Sequence, residues 1–490
     1  MPASPTPFVR FVCLRPLLAM LAAVGFAVAA SGSPPALAST LTVTTTADEL
    51  NSDGDCSLRE AVQAANTDAA VDACTAGSGP DMISLSAGTY ALSIIGREDA
   101  NAAGDLDITS KVTVKGAGSD STVIQGINQG FVPNNDRALN VLPGADVEVV
   151  DVTIAGGAVD PFPFANYFSG GGIANGGTLE LIDSVVRNNT GAVGAGISSG
   201  GALTLTNSTI RNNSGGGPDG GDGAGISNAG LATLINSSVS NNVLQGFSGG
   251  SGISNYGTFV LTGSTVNGNN ATGDAGAIFN APLFAASSLS LTNSTVSGND
   301  GGIVNLATTS SATLTMTSST VTDAVFTEEL GGTVTAFSKN SIVSGCSGTL
   351  TSQGYNLIQD TTGCTVAGVL TGNITNVDPT LDPLAYNGGP TQTRALLTGS
   401  PAIDAGSPDC PPPATDQRGI PRFGPCDIGA FEFSVLVGGV AVLPAAAVDS
   451  DTGRSGPDAG RWPLVVAALC GGLAVGATAV FVGRRRFRRG

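Results

Sequence analysis

The sequence predicts an all-β protein wound as a parallel β-helix, with three short strands in each coil of about 24–30 residues. Three observations predict it. Variants of one phrase, Gly-Gly-Ile-x-Asn, recur around Ile173, Ile197, Ile226, Ile253, Ile278 and Ile303, at spacings of 24, 29, 27, 25 and 25 residues. Each phrase leads into an alternating run such as Leu179-x-Leu181 or Leu289-x-Leu291, then a serine and a β-branched residue, as at Ser208 and Ile210. A repeat of this length marks units that bury their apolar side only by stacking on neighbours. Composition agrees: 70 glycines, 5% aromatic and 12% charged residues suit short strands and turns and leave little to build helices from.

The alternation also sets direction. Leu203, Leu205, Ser208 and Ile210 all face inward if a turn near Asn207 shifts the phase. The turns are not two-residue hairpin types and the copies run one way, so like residue stacks on like in parallel ladders. Inward Leu, Ile and Val then contribute roughly 1.5–3 kcal/mol each before chain entropy is counted. Asn175, Asn228, Asn255, Asn280 and Asn305 are expected to stack at one corner and bond to neighbouring backbone.

From the N-terminus, residues 1–38 have the layout of a secretory signal: Arg10 and Arg15, an apolar run from Leu17 to Ala30, and a small-x-small site at Ala36-Leu37-Ala38. Residues 39–80 form an N-terminal cap. It holds a strand near Leu41, an Asn-Ser-Asp-Gly-Asp turn at 51–55, and a capping box, Ser57-Leu-Arg-Glu60, opening a short helix. Leu58, Ala61, Val62 and Ala65 lie on one face of that helix, a suitable lid for an exposed core end. Asn51, Asp53 and Asp55 alternate as calcium ligands do, but Gly54 is out of EF-hand register, so the segment is read as a turn. Coils run from 81 to 387, less regular before 159 and after 331.

Residues 388–433, rich in Gly-Pro turns, form a C-terminal cap, and 434–460 a linker. The apolar stretch 461–483 is long enough to cross a bilayer, and the arginines of 484–490 place the C-terminus in the cytoplasm. The membrane, through this C-terminal helix, is thus one expected partner.

Formal charge is −18. Set apart the leader, Arg461 and the tail, and the remaining body holds 12 basic residues against 38 acidic ones. Such a field repels nucleic acid, which is excluded as a partner. Histidine is absent, which with no Cys-x-x-Cys argues against zinc. Cys13 and Cys470 fall in the leader and the apolar stretch. The others form three close pairs, Cys56 with Cys74, Cys346 with Cys364 and Cys410 with Cys426, and in an exported chain these read as disulfides.

Parallel β-helices also host enzymes acting on acidic polysaccharides. Such chemistry needs an acid and a base, or calcium beside a basic residue that takes the proton. Arg187 and Arg211 hold equivalent places in consecutive Arg-Asn-Asn sequences, with Asp183 just before the first and Asp219, Asp222 and Asp274 in nearby loops. A lyase would use one of these arginines with calcium-binding aspartates. No cluster of acids recurs at one coil position, and repeat copying alone explains the arginines. No catalytic residue, cofactor or metal is therefore assigned; calcium enters only with the lyase alternative.

Three stretches carry a family resemblance. Cys56-Ser-Leu-Arg-Glu-Ala61 resembles the CSLREA region of bacterial surface proteins. The Gly-Gly-Ile-x-Asn copies resemble repeats of chlamydial polymorphic outer membrane proteins. Asn387-Gly-Gly-Pro-Thr391, Asp416-Gln-Arg-Gly419 and Cys426-Asp-Ile-Gly-Ala-Phe-Glu432 look like the choice-of-anchor Q domain, with Thr393-Arg394-Ala395 where that domain has Thr-His-Ala. The resemblance implies a right-handed β-helix in an exported bacterial protein attached to the cell surface. The expected role is adhesion, envelope structure or glycan binding without catalysis, toward a glycan or protein of a host, cell wall or matrix. The alternative is a β-helical polysaccharide lyase or hydrolase. The variable loops at 214–222 and 243–249 are the expected contact points.

Overall fold

The computed structural model describes residues 38–127, 136–159, 170–216, 221–245, 249–273 and 276–434. The expected signal sequence, most of the linker, the apolar stretch 461–483 and the arginine tail lie outside these residues. Among the described residues no helix is long and apolar enough to cross a membrane.

One coil shows how the sequence makes the fold. Ile197–Ser199 forms a strand on the first face, Ala202–Thr206 on the second and Thr209–Arg211 on the third. Each pairs in parallel with its copy above and below: Ile197 with Ile173 and Ile226, Leu203 with Leu179 and Ala232, Ile210 with Val186 and Val239. The inward residues Ile197, Leu203, Leu205 and Ile210 are at most 1% exposed. Ser208 is buried too, and Asn207 sits at φ 50°, so the phase shift between the second and third faces is a single left-handed residue. Asp151, Asp183, Asn236 and Asn293 take the same conformation at the same corner, which Asn and Asp tolerate better than other side chains.

Three internal ladders bind the coils. Asn228, Asn255, Asn280 and Asn305 stack as expected, each Nδ2 donating to the next Oδ1 at 2.7–2.8 Å. At Asn175 the neighbour is Ser199, whose hydroxyl accepts at 3.0 Å. A second column, Asn189, Asn213, Asn242, Asn269 and Asn299, ends on Asp323, with amide contacts of 2.7–3.0 Å. The repeated Asn-Asn is thereby explained: the first, as at Asn188 and Asn212, turns the corner with positive φ, and the second is the buried rung. The third column is serine, each backbone N–H from Ser184 to Ser319 donating to the next Oγ at 3.1–3.3 Å. Glycines fill the corner between the first and second faces. A Cβ on Gly201 would strike the Gly177 carbonyl, and one on Gly230 the Gly201 carbonyl.

The expected architecture is corrected in four respects. A fourth short ladder, Thr190–Gly191, Ser214–Gly216, Val243–Gln245 and Asn270–Ala271, follows the third face in the central coils. Coil length varies more widely than 24–30 residues, from 42 between Leu41 and Ile83 to 15 between Ile342 and Leu357. The stack begins before residue 81, because Thr40–Thr42 already pairs in register with Met82–Ser84. Finally, residues 388–433 do not close the end of the coil. They run along the outside of the third face, where Thr391 bonds to Gly263, Arg422 to Asn293, and Ala430 to Thr320. Ile342 and Leu357 on that face pack with Leu396, Ile428 and Phe431 of the strap.

The stretch from Cys56 to Ala61 is absorbed entirely by structure. Cys56 bonds to Cys74, Ser57 and Glu60 make the reciprocal capping box of helix Leu58–Thr67, and Leu58 and Ala61 enter the core. Cys346–Cys364 and Cys410–Cys426 are also bonded, so all three expected disulfides form.

Candidate functional site

The three faces differ in what covers them. Outward residues of the first face are buried as far as Ser254, Ala174 being 4% exposed, Ser198 3% and Ser254 0%, and beyond it Phe279 and Val304 are half-buried and Phe326 is exposed. Glycines of the preceding loops lie over that face, Gly194 against Ser198 and Gly249 against Ser254. The strap covers the third face over residues 263–343. The second face is left bare; its outward residues from Lys111 to Thr317 are half-buried or exposed.

At its N-terminal end this face holds a shallow groove of about 250 Å³, lined by Lys111, Thr113, Asp146, Glu148, Glu180 and Thr204 among others. The register aligns Thr113, Glu148, Glu180 and Thr204 in one row across four strands. Lys111 pairs with Asp146 at 2.6 Å, and that contact raises the lysine's pKa. The Thr113 hydroxyl donates to Glu148 at 2.9 Å. Four carboxylates, those of Asp81, Asp146, Glu148 and Glu180, against one ammonium make the groove electronegative, with hydroxyls to donate and accept. Nothing in the repeat phrase singled out this groove. The signal was present as alternate outward polar residues, which any solvated strand also shows.

The residues expected to carry lyase chemistry fall elsewhere. Arg187 and Arg211 do stand one above the other, paired in register at the outer edge of the third face. Asp183 is an exposed corner residue at φ 48°, which accounts for an aspartate there without catalysis. Among the described residues, the group of three acids close enough to share a metal is Glu49, Asp53 and Asp55, remote in sequence from both arginines. It lies in the turn read above as structural. Asp219 and Asp274 lie outside the described residues. Asp222 is drawn into a buried contact with the Ser254 and Tyr256 hydroxyls; burial raises the pKa of both Asp222 and Tyr256. Those side chains tie a loop to the first face. Of the loops expected to vary, 217–220 and 246–248 also lie outside the described residues.

A second buried ionic cluster joins the N-terminal helix to the first coils. Asp105, Asp107 and Asp136 are each at most 2% exposed. Arg137 Nε lies 3.1 Å from Asp105 and 3.4 Å from Asp136. Burial, then the neighbouring Asp136 charge, pushes Asp105 well above the usual carboxylate range.

No family model matches the chain, and no curated protein matches it. Among solved structures, that of pectate lyase Pel9A is similar at 14% sequence identity and a TM-score of 0.45, covering 81% of this chain and 96% of that one. A likeness at this level concerns fold only, and the parallel β-helix rests on the strand ladders themselves.

Proposed function

We propose that this chain is an exported β-helix held at the cell surface, which binds glycan through its second face without turning it over. The observation that carries the reading is the polar groove on the second face, whose outward residues are half-buried or exposed where those of the first face in the same coils are buried. Three disulfides favour an oxidising compartment. The apolar stretch 461–483 serves as the membrane anchor, and the coil is right-handed, as parallel crossovers nearly always are. An electronegative groove repels acidic polysaccharide and suits a neutral or amino sugar, whose hydroxyls and ammonium groups meet Thr113, Glu148 and Glu180.

The full chain on a glycan array, with parallel absorbance detection of unsaturated products, tests this directly. Retention of neutral or amino glycans without product supports it; retention of acidic glycans alone sinks it. A second reading, a calcium-dependent lyase or hydrolase, is favoured by one observation, the in-register pair Arg187 and Arg211. It requires calcium-dependent product release that disappears in Arg187→Ala or Arg211→Ala.

A further inference from the structure

Beyond the groove, the second face changes character. Five consecutive strands, Ala202–Thr206, Leu231–Ile235, Thr258–Thr262, Ser287–Thr292 and Ala312–Thr317, present three outward residues each. Of these fifteen positions nine are threonine and two serine; the other four are Ala202, Leu231, Ile235 and Val260. None is charged, none is an amide and none is aromatic, in a chain of net charge −18. The strands pair without a register slip, so the outward residues form straight rows. Neighbouring hydroxyls meet across coils, Ser288 with Thr258 at 3.3 Å and Thr335 with Thr313 at 3.2 Å.

Geometry and chemistry together restrict what such a field can hold. Rows lie about 4.8 Å apart across the coils and roughly 6.7 Å apart along each strand, giving a net on the order of 19 Å by 13 Å. The row spacings, rather than the outer edges, approach the oxygen repeats of hexagonal ice, to within roughly a tenth. Threonine is stiff at χ1, so methyl and hydroxyl groups are held in the net before any ligand arrives. A sugar site would draw on aromatic rings, carboxylates or amides, and the field has none. A charged surface is not matched by fifteen neutral positions. A neutral, periodic, hydrogen-bonding solid is matched by both composition and spacing.

We propose that the second face from Ala202 to Thr317 is an ice-binding surface, with methyls ordering a sheet of water and threonine hydroxyls anchoring it. This goes beyond the glycan reading and uses a part of the face that shares only Thr204 with the groove.

The test is ice-affinity partition of the full chain, with ice-crystal shaping as a second readout. The wild-type chain is expected to concentrate in slowly grown ice and to facet crystals. Thr233→Lys with Thr315→Lys places two charges in the field, on outward positions that leave the core untouched, and is expected to abolish both effects at an unchanged melting temperature. Thr113→Lys, in the groove, is expected to leave ice binding intact while altering glycan retention. Exclusion of the wild-type chain from ice overturns the proposal, as does undiminished ice binding in the double variant. Retention on a crystalline β-glucan with exclusion from ice also overturns it.

Discussion

Arg59 is fully buried against Asp48, with Nε 2.7 Å from Oδ1 and Nη2 3.2 Å from Oδ2. The same guanidinium donates to the Gly104 carbonyl at 2.8 Å and the Asp105 carbonyl at 3.0 Å, so one side chain joins the helix, the preceding loop and the first coil. Arg59→Ala removes the charge and leaves the nearly inaccessible Asp48 carboxylate without its counter-ion, held only by the Ser93 and Ile94 N–H groups. A loss of about 3–5 kcal/mol is expected in urea unfolding. Arg59→Lys is expected to recover little of it, because an ammonium cannot reproduce the planar fork.

The amide columns predict a second effect. Asn242 accepts from the backbone and side-chain nitrogens of Asn213 and donates to Ile210 and Asn269. Asn242→Ala orphans several of these groups in the core, each costing about 1–3 kcal/mol. Unfolding measurements should show a larger loss there than for Asn241→Gly at the adjacent corner, where φ is 54° and glycine fits.

Acidity should stabilise this protein. Burial pushes the Asp107 carboxyl up to about 6, and burial does the same to Asp427. A carboxyl with a folded pKa above its unfolded value holds its proton more tightly when folded. Its stabilising contribution is therefore complete below about pH 4 and is lost as pH rises through 6. The melting temperature is expected to be higher at pH 5.5 than at pH 7.5, and Asp107→Asn should flatten that difference.

Gln417 predicts how the strap is held. Its Nε2 donates to Thr265 at 2.9 Å and to Thr391 at 2.9 Å, and its Oε1 accepts from Thr295 at 2.6 Å. Gln417→Ala should leave the coil folded while opening 388–433 to limited proteolysis, seen as cleavage within the strap before any within the coils.

Much of this fold was legible because the repeat copies its inward residues. Leu203, Leu205 and Ile210 announce themselves by alternation, and Ser57 with Glu60 by a local capping pattern. What the sequence hid is non-local. Gln417, Arg422, Asp427 and Ala430 sit in one short segment, yet their partners at Thr295, Asn293, Asn340 and Thr320 are more than eighty residues away. Arg418 stacks 3.5 Å over the Phe431 ring, a contact that no spacing rule suggests. The fourth ladder was hidden because Thr190–Gly191 and Asn270–Ala271 are too short to show a period. The candidate groove was harder still, since a face becomes a site only once the other faces are known to be covered.

On the proposed function, the second face binds glycan and does not cleave it. The most direct test is calorimetric titration of a retained neutral or amino glycan into the full chain and into Glu148→Gln with Glu180→Gln, with sugar products assayed in the same cell. Binding by the wild-type chain, weakening in the double variant and no product in either are expected. Equal binding in both chains, or release of unsaturated sugar by the wild-type chain, would contradict it.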